Sequence, residues 1–368
     1  MKDEIKRIAI STGGGDAPGL NAVIRGATIS ALNRGWEVLG IRDGFNGLMF
    51  PERYEDGGII KLTQKKVAGI THLGGTIIGT INKGNPLRFP IKDANGKWKE
   101  IDRTDEIIEA ARKKEIDAII AVGGDGSLEI ASVLADKGMR VIGVPKTIDN
   151  DLEKTVITFG FDTAMSFATQ CIDRLHSTAE AHQRVMVIEV MGRYAGWIAV
   201  ECGIASDSDV ILIPEIEFDI DKVVEKIIQK EKAGHRHALV VVAEGAKPLG
   251  GDYSVITSEL GRKDILGGVG DKVAKLISEK TGKESRTVVL GHLLRGGSPT
   301  AFDRLLSLRF GAAAVRALEQ GYRDVMVALD PPIVQYVPLK EATSRMKSVP
   351  LDSDMIMTAR NLGICFGD

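Results

Sequence analysis

The sequence is short of aromatic residues, cysteine and excess charge, and each shortage excludes a class of protein. Aromatic residues make up 5% of the 368 positions, so stacking platforms for nucleic-acid bases are not expected. The formal net charge of −2 argues against a general electrostatic grip on nucleic acid. The three cysteines are far apart and form no CxxC pair, which argues against a disulfide framework or a zinc or iron–sulfur site and fits a reducing, cytoplasmic location. The N-terminus shows no signal-peptide pattern and no apolar run reaches about 18 residues, so no membrane span is predicted.

Glycine, by contrast, is plentiful, and many of its 42 copies follow runs of β-branched apolar residues. Four runs are the clearest. RIAIST (7–12) leads into GGGDAPG, DAIIAV (117–122) into GGDGS, RVIGV (140–144) into PKTIDND, and RVMVIEV (184–190) into MGRYAG. Continuous apolar strands that alternate with helical patterns are typical of a parallel sheet covered by helices on both faces. The sequence therefore predicts a doubly wound α/β fold with ligands at the carboxyl ends of the strands.

Two stretches interrupt this alternation. Residues 83–104 are polar and contain two prolines and an Asn-Gly pair, which predicts a hairpin-like excursion on the surface. Residues 246–271 are predicted to form a glycine-rich loop region. No linker rich in serine and proline divides the chain, so two domains would have to share crossing segments.

Two glycine motifs have the pattern of a phosphate cradle. In GGGDAPG, consecutive glycines let backbone N–H groups approach an anion at the start of the next helix, and the alternative is a tight turn without a ligand. In GGDGS, Gly123 and Gly124 can present backbone to phosphate, and Asp125 supplies a hard oxygen for Mg²⁺. Ser127 can cap the following helix. The alternative is a glycine turn with a capping aspartate, and NAD kinases and lipid kinases carry a similar motif.

PKTIDND adds two carboxylates that those kinases lack. On an extended segment, Asp149 and Asp151 project to the same side, where one can accept a proton from an attacking hydroxyl and the other can position a metal, water or base. The alternative is an Asp-Asn-Asp surface turn. Glu244 closes another strand, where it can accept hydrogen bonds from a polyol or cap a turn.

Cationic side chains near other strand ends supply phosphate ligands, because the planar fork of arginine binds two oxygens at once. They are Arg184, Arg193, Arg286, His292 and Arg295. The alternative for His292 is a histidine packed in the core. Together with the glycine cradles, a Mg²⁺ carboxylate and a candidate base, they indicate phosphoryl transfer to a hydroxyl of an anionic substrate.

From residue 13 to about 304, the order of these motifs resembles that of the 6-phosphofructokinases. The matching stretches include GGGDAPGLNAVIRG, GGDGS, PKTIDND, HQR, EVMGRYAGW and LGHLLRGGSPTAFDR. The resemblance implies two Rossmann-like, doubly wound domains with largely parallel sheets and an active site in the cleft between them. It also implies a nucleotide- and Mg²⁺-binding domain of residues 1–159 plus about 293–343, and a sugar-phosphate-binding domain of residues 160–292 plus about 344–368.

The resemblance implies an activity and a role for each motif residue. The γ-phosphoryl group of ATP would pass to the 1-hydroxyl of fructose 6-phosphate, which gives fructose 1,6-bisphosphate in the committed step of glycolysis. Asp149 would be the base, and the rest of the catalytic set would be Lys146, Thr147 and Arg193. Asp125 would hold Mg²⁺, and the ATP-binding set would be Gly15, Gly124, Asp125, Gly126 and Ser127. The substrate-binding set would be Thr147, Ile148, Asp149, Arg184, Met191, Gly192, Arg193, Glu244, Arg286, His292, Leu293, Leu294 and Arg295.

The family also implies self-association. Its residues that match Arg184 and Arg286 reach into the active site of a neighbouring subunit. A homotetramer or homodimer is therefore implied, with no nucleic-acid or membrane partner.

Positions 126 and 146 bear on the choice of phosphoryl donor. Members that use pyrophosphate resemble one another in carrying Asp in place of Gly126 and Lys at position 146, whereas simple bacterial ATP enzymes carry Gly at both. A carboxylate at position 126 would repel the α-phosphate of a nucleotide by about 4 kcal/mol at about 4 Å and an effective dielectric near 20. ATP is therefore the expected donor, with Lys146 as a catalytic or phosphate-binding helper. The alternatives are a reversible pyrophosphate-dependent enzyme, an NAD or lipid kinase, and a non-catalytic regulatory subunit.

Overall fold

The computed structural model describes residues 5–93, 95–257 and 265–368. Their strands are β1 (Arg7–Thr12), β2 (Glu37–Ile41), β3 (Ile59–Lys61), β4 (Phe89–Lys92), β5 (Trp98–Ile101), β6 (Ala118–Gly123), β7 (Val141–Pro145), β8 (Val185–Val190), β9 (Val210–Leu212), β10 (Ala238–Ala243), β11 (Val255–Thr257), β12 (Ile265–Leu266), β13 (Ser285–Val289), β14 (Val325–Asp330) and β15 (Ile333–Pro338). Their α-helices are α1 (Leu20–Leu32), α2 (Asn46–Met49), α3 (Thr104–Lys113), α4 (Asp125–Asp136), α5 (Phe161–His182), α6 (Trp197–Ala205), α7 (Ile220–Lys232), α8 (Val269–Thr281), α9 (Ala301–Glu319), α10 (Leu339–Ala342) and α11 (Asp354–Asn361). Short 3₁₀ helices cover Pro51–Arg53, Pro86–Arg88 and Gly291–Arg295.

The chain divides into two compact units, and a seven-stranded sheet forms the centre of unit 1. Unit 1 consists of the described residues of Met1–Thr147, Leu152–Gly160 and Arg295–Met346. The strand order is β15-β14-β7-β6-β1-β2-β3, parallel from β14 to β2 and antiparallel at both edges. The central strands β6 and β7 are buried along their whole length, as continuous apolar runs predict.

Helices cover both faces of this sheet, as alternate residues of β1 show. Ile8 and Ile10 belong to a buried cluster that includes apolar residues of α1 and α9. Ala9 belongs to a second cluster with residues of α3 and α4. Because successive strand residues point to opposite faces, the two clusters lie on opposite sides of the sheet. Unit 1 is therefore doubly wound, in agreement with the prediction.

Unit 2 has a smaller, four-stranded parallel sheet. It consists of Ile148–Asp151, the described residues of Phe161–Leu294, and Lys347–Asp368. The strand order is β13-β8-β10-β9, and all three pairings are parallel.

Helices also cover both faces of the smaller sheet. Val240 and Val242 belong to a cluster with residues of α7 and α8. Gly203 of α6 lies against Ile211 and Val241, which point to the other face. The prediction of an α/β fold with largely parallel sheets is thus confirmed for both units. The assignment of the nucleotide to one unit and the sugar phosphate to the other stays a prediction.

The two irregular stretches differ in outcome. β4 and β5 pair antiparallel, with Phe89 opposite Ile101, so the predicted hairpin within residues 83–104 is confirmed. The stretch 246–271 is not loop throughout, because β11 pairs antiparallel with β12 and α8 begins at Val269. Residues 258–264 of that prediction lie outside the described residues. In the described part of the chain, no helix has the length and apolar character needed to cross a membrane.

Candidate active site

Three motifs begin at one edge of the large sheet of unit 1. GGGDAPG follows β1, GGDGS begins at the end of β6, and PKTIDND begins at the end of β7. Since β7, β6 and β1 are adjacent and parallel, their carboxyl ends lie side by side. The structure therefore brings together Gly15, Gly124, Asp125, Gly126, Ser127, Lys146 and Thr147.

Side chains from distant parts of unit 1 hold the backbone of the first glycine loop. Thr80 Oγ1 donates to the carbonyl of Gly14 at 2.7 Å. Lys146 Nζ donates to the carbonyl of Gly15, and Arg295 Nη1 donates to that of Asp16 at 3.3 Å. Three consecutive carbonyl groups are thus fixed, two of them by cations, which makes the local potential favourable to a bound anion.

Lys146 is buried, and its hydrogen bonds link GGDGS to GGGDAPG. Its side chain is almost fully buried, at 3% exposure. Its backbone N–H donates to Gly123 at 2.9 Å, and its ammonium group donates to Gly15. A buried ammonium group is costly unless it is hydrogen-bonded. Lys146 therefore has a structural reason to be present that does not depend on which donor is bound.

Asp125 is the first residue of α4, and this corrects one prediction. The helix begins after Gly124 without a side-chain cap, so the prediction that Ser127 caps it is wrong. Ser127 instead packs on Gly123, where an added Cβ would lie 2.2 Å from the Ser127 Cβ. Asp125 is half-buried. At Gly126, an added Cβ would meet no atom within 4 Å.

Asp125 fits the requirements of Mg²⁺. This ion typically takes one or two carboxylates and completes its octahedron with phosphate oxygens and water. Within the described residues, no group of three His, Cys, Asp or Glu side chains could hold a metal ion. Asp125, beside the phosphate cradle, suits an ion that arrives with its phosphates.

The segment Ile148–Asp151, which we call the catalytic loop after its predicted role, differs from the prediction. The chain bends at Ile148 and Asp149, and Asn150 has a left-handed φ of 50°. The prediction of an extended segment is therefore wrong, and strand alternation does not relate Asp149 to Asp151. Asparagine tolerates this conformation better than most residues. Ile148 and Asn150 are buried, which anchors the loop.

Predicted sugar-binding residues of unit 2 meet at the carboxyl end of the smaller sheet. Met191, Gly192 and Arg193 follow β8, Glu244 follows β10, and His292, Leu293 and Leu294 follow β13. These three strands are neighbours. The backbone N–H of Glu244 donates to Val190 at 2.9 Å, and that of Gly245 donates to Gly192 at 3.1 Å. Met191 and Leu294 are buried, Arg193 and Glu244 are half-buried, and His292 and Leu293 are exposed.

A carboxylate that sequence reasoning missed supports the turn after β8, which we call the sugar loop (Met191–Gly196) after its predicted role. Glu215 accepts hydrogen bonds from the backbone N–H of Gly196 at 3.0 and 3.1 Å and of Val349 at 2.8 Å. Burial raises the pKa of Glu215, and these N–H groups oppose the rise. Only glycine fits at position 196, where a Cβ would lie 2.4 Å from Ile213 Cγ2. The signal for Glu215 was its position just after the apolar run DVILIP.

Arg184 and Arg286 lie at the other end of the same sheet. Arg184 immediately precedes β8, and Arg286 is the second residue of β13. Both contact Glu284, with nitrogen–oxygen distances of 3.3 Å and 2.5 Å. A strand rises about 3.3 Å per residue, so about 20 Å of β8 separates Arg184 from Met191. One copy of the chain does not bring these arginines to the residues that follow β8 and β10.

Comparisons with known proteins agree on one family. The phosphofructokinase family model matches residues 7–318. The chain is 49% identical to an ATP-dependent 6-phosphofructokinase of Chloroflexus aurantiacus over 370 residues, which cover 100% of this chain and 99% of that protein. It is 46% identical to a pyrophosphate–fructose 6-phosphate 1-phosphotransferase of Amycolatopsis mediterranei, with coverage of 94% and 97%. The crystal structure of Pichia pastoris phosphofructokinase in the T-state superposes with a TM-score of 0.79 at 27% identity and covers 98% of this chain and 36% of that one.

Proposed function

The chain belongs to the phosphofructokinase family, and we propose on that premise that it is an ATP-dependent 6-phosphofructokinase. It transfers the γ-phosphoryl group of ATP to the 1-hydroxyl of fructose 6-phosphate and releases fructose 1,6-bisphosphate and ADP. The observation that carries the proposal is the placement of GGGDAPG, GGDGS and PKTIDND on three adjacent strand ends. Full-length similarity to proteins named for this activity supports it. We place the reaction in the cytoplasm, where the three cysteines, all free thiols, stay reduced.

Each proposed catalytic residue has its own part in the chemistry. Asp149 accepts the proton of the 1-hydroxyl as its oxygen attacks the phosphoryl group. Lys146 and Arg193 offset the negative charge of the group in transfer, and Thr147 helps to position it. Asp125 would hold Mg²⁺, which would supply positive charge to offset that of the donor phosphates. Positioning and charge stabilisation dominate such reactions, so no unusual side chain is required.

Two observations bear on the donor. The open space at Gly126 leaves room beside a nucleotide, which favours ATP. Lys146 is bonded to the carbonyl of Gly15, so its presence is no indication of pyrophosphate. The second candidate is the pyrophosphate-dependent reaction, which the similarity to the Amycolatopsis mediterranei protein favours.

One assay separates these functions. The purified protein is supplied with fructose 6-phosphate and Mg²⁺, with ATP in one reaction and pyrophosphate in another, and fructose 1,6-bisphosphate is measured. Product with ATP alone is expected. Product with pyrophosphate alone would overturn the choice of donor, and product with neither would overturn the function.

We also propose a homo-oligomer, a dimer or a tetramer, with sites shared between copies. Arg184 is about 20 Å of strand from Met191, and Arg286, which pairs with Met186, is about 16 Å from it, so they can serve a sugar phosphate only in another copy. The test mixes Arg286→Ala with Asp149→Ala subunits and refolds them together. Shared sites predict that the mixture is more active than either variant alone. A mixture of Asp149→Ala with Asp125→Asn is the control if both side chains serve one site, and equal behaviour of the two mixtures would refute sharing.

A further inference from the structure

A short segment of unit 2, Lys347–Val349, joins the catalytic loop to the sugar loop, and we call it the strap. Its first residue follows Met346, at which the last part of unit 1 ends. Lys347 is half-buried and Val349 is 2% exposed, so the strap is packed into unit 2. Nothing in the sequence marks it as part of a site, since it lies about 200 residues from the catalytic loop.

Lys347 holds the catalytic loop by two hydrogen bonds. Its backbone N–H donates to the carbonyl of Asp151 at 2.9 Å. Its ammonium group donates to Asn150 Oδ1 at 3.2 Å. Asn150 is the residue with left-handed backbone, and it is 4% exposed. The hydrogen bond from the Lys347 ammonium group therefore stabilises the left-handed backbone of Asn150, immediately after Asp149, because a charge-assisted hydrogen bond is stronger than a neutral one.

The other side of the strap is tied to the sugar loop and to α6. Trp197 Nε1–H donates to the Lys347 carbonyl at 3.1 Å, and the Lys347 ammonium lies 5.1 Å from the centre of the Trp197 ring. Val349 N–H donates to Glu215, which also binds Gly196 N–H. One segment of three residues thus contacts the loop that carries the candidate base directly and is joined through Glu215 to the loop that carries Arg193.

A carboxyl group on α6 also lies near Lys347. Burial raises the pKa of Glu201 to about 7, the charge of Lys347 lowers it, and Asp162, on α5, raises it further. Lys347 is thus close enough to Glu201 to favour its ionised form. Its charge therefore has an acidic neighbour in addition to Asn150.

We propose that Lys347 is a positioning residue for phosphoryl transfer, which fixes the Asp149 carboxylate through Asn150 and Asp151 and ties it to the sugar loop through Trp197 and Glu215. The inference rests on the proposed function, in which Asp149 is the base. A proton acceptor works only within hydrogen-bond reach of its proton. A displacement of about 1 Å lowers a rate on the order of 100-fold. Loss of the ammonium group should therefore lower kcat more than it raises KM.

The test compares Lys347→Met, which removes the charge, with Lys347→Arg, which keeps it. Lys347→Met is expected to lower kcat by about 10- to 100-fold and to leave KM for both substrates within about threefold. Lys347→Arg is expected to retain most of kcat. Lys340→Met is the matched control, because Lys340 is 70% exposed and pairs with Asp136 on the surface. Equal defects in the Arg and Met variants, or a rise in KM at unchanged kcat, would overturn the proposal.

A double-mutant cycle tests the path through Asn150. Asn150→Gly removes the acceptor oxygen and keeps a residue that adopts positive φ. If the ammonium group acts through Asn150, the double variant Asn150→Gly/Lys347→Met is no slower than the slower single variant. Multiplied defects would overturn the path. Asn150→Gly and Lys347→Arg decide the question even if Lys347→Met does not fold.

Hydrogen–deuterium exchange separates this inference from the proposed function. Amide exchange of residues 148–151 needs no substrate, and Lys347→Met is expected to speed it at least tenfold relative to the loop that follows β1. If the wild-type protein is inactive but the exchange difference is observed, the proposed function is refuted and the positioning role of Lys347 is supported. If the wild-type protein is active and the exchange difference is not observed, only the positioning role of Lys347 is refuted.

Discussion

Replacing Gly126 with aspartate tests the choice of donor at a single side chain. The position is half-buried, and an added Cβ meets no atom within 4 Å, so the new side chain requires no repacking. It also lies in the first turn of α4, where a carboxylate is stabilised by the positive end of the helix by about 0.3–1 kcal/mol. The folded protein should therefore survive, and the effect on ATP should be electrostatic.

The size of that effect follows from the distance between charges. For a carboxylate about 4 Å from the α-phosphate of ATP, the repulsion is about 4 kcal/mol at an effective dielectric of 20 and about 1 kcal/mol in bulk water. These limits correspond to a fall in kcat/KM for ATP of about a thousandfold and about fivefold. A half-buried position lies between the limits.

The assay measures kcat/KM for ATP and for pyrophosphate at fixed fructose 6-phosphate and Mg²⁺. Gly126→Asn is the matched control, because it has the same shape without the charge and should stay within about threefold of the wild-type protein. An equal loss in Gly126→Asn would show that bulk, not charge, excludes the nucleotide. Full ATP activity in Gly126→Asp would show that position 126 is not beside the α-phosphate, and the argument for ATP from this residue would fail.

Three further substitutions have definite expected outcomes. Glu201 has a pKa of about 7 in the folded protein against a usual 4.5, so its contribution to stability is present below about pH 4.5 and is lost as the pH rises through 7. In urea unfolding, the free energy of unfolding of Glu201→Gln should fall by about 3 kcal/mol less between about pH 4.5 and pH 7 than that of the wild-type protein. Gly196→Ala places a Cβ 2.4 Å from Ile213, so unfolding should cost about 1–3 kcal/mol less and KM for fructose 6-phosphate should rise. Asp125→Asn should lower kcat on the order of 100-fold and raise the Mg²⁺ concentration needed for half-maximal rate.

Each of these has a matched control or a contradicting result. An unchanged slope of stability against pH in Glu201→Gln would assign the titration to another group. Gly126→Ala is the control for Gly196→Ala, because its Cβ meets no atom within 4 Å. Equal Mg²⁺ requirements in the wild-type protein and Asp125→Asn would remove Asp125 from the metal site.

Sequence patterns predicted the parts of the fold that depend on local order. The run RIAIST coincides with β1, and the hairpin within 83–104 follows from its turn residues. The same reasoning located the strand ends, since each glycine motif follows a continuous apolar run. Adjacent parallel strands then bring those ends together without further information.

Predictions that depended on the shape of a single loop were wrong. Alternation placed Asp149 and Asp151 on one side, but Asn150 is left-handed and ends the extended conformation. Serine is a common capping residue, yet α4 begins two residues before Ser127, and the Ser127 side chain packs on Gly123. Lys347 could not have been found from the sequence, since its contact with Asn150 exists only after the fold is complete.

The position of β14 in the large sheet has a consequence for how the chain folds during synthesis. β14 pairs with β7 at Val325 opposite Ile142, and α9 packs on α1. All strands of the smaller sheet come from residues 185–289. During synthesis, the smaller sheet is therefore complete before the larger one. At that stage β7 still lacks its neighbour β14, and the face of α1 that packs on α9 is uncovered. Long-range pairing of this kind slows folding and exposes strand edges to aggregation. Chaperone dependence should accordingly be greatest for nascent chains that end between β13 and β14.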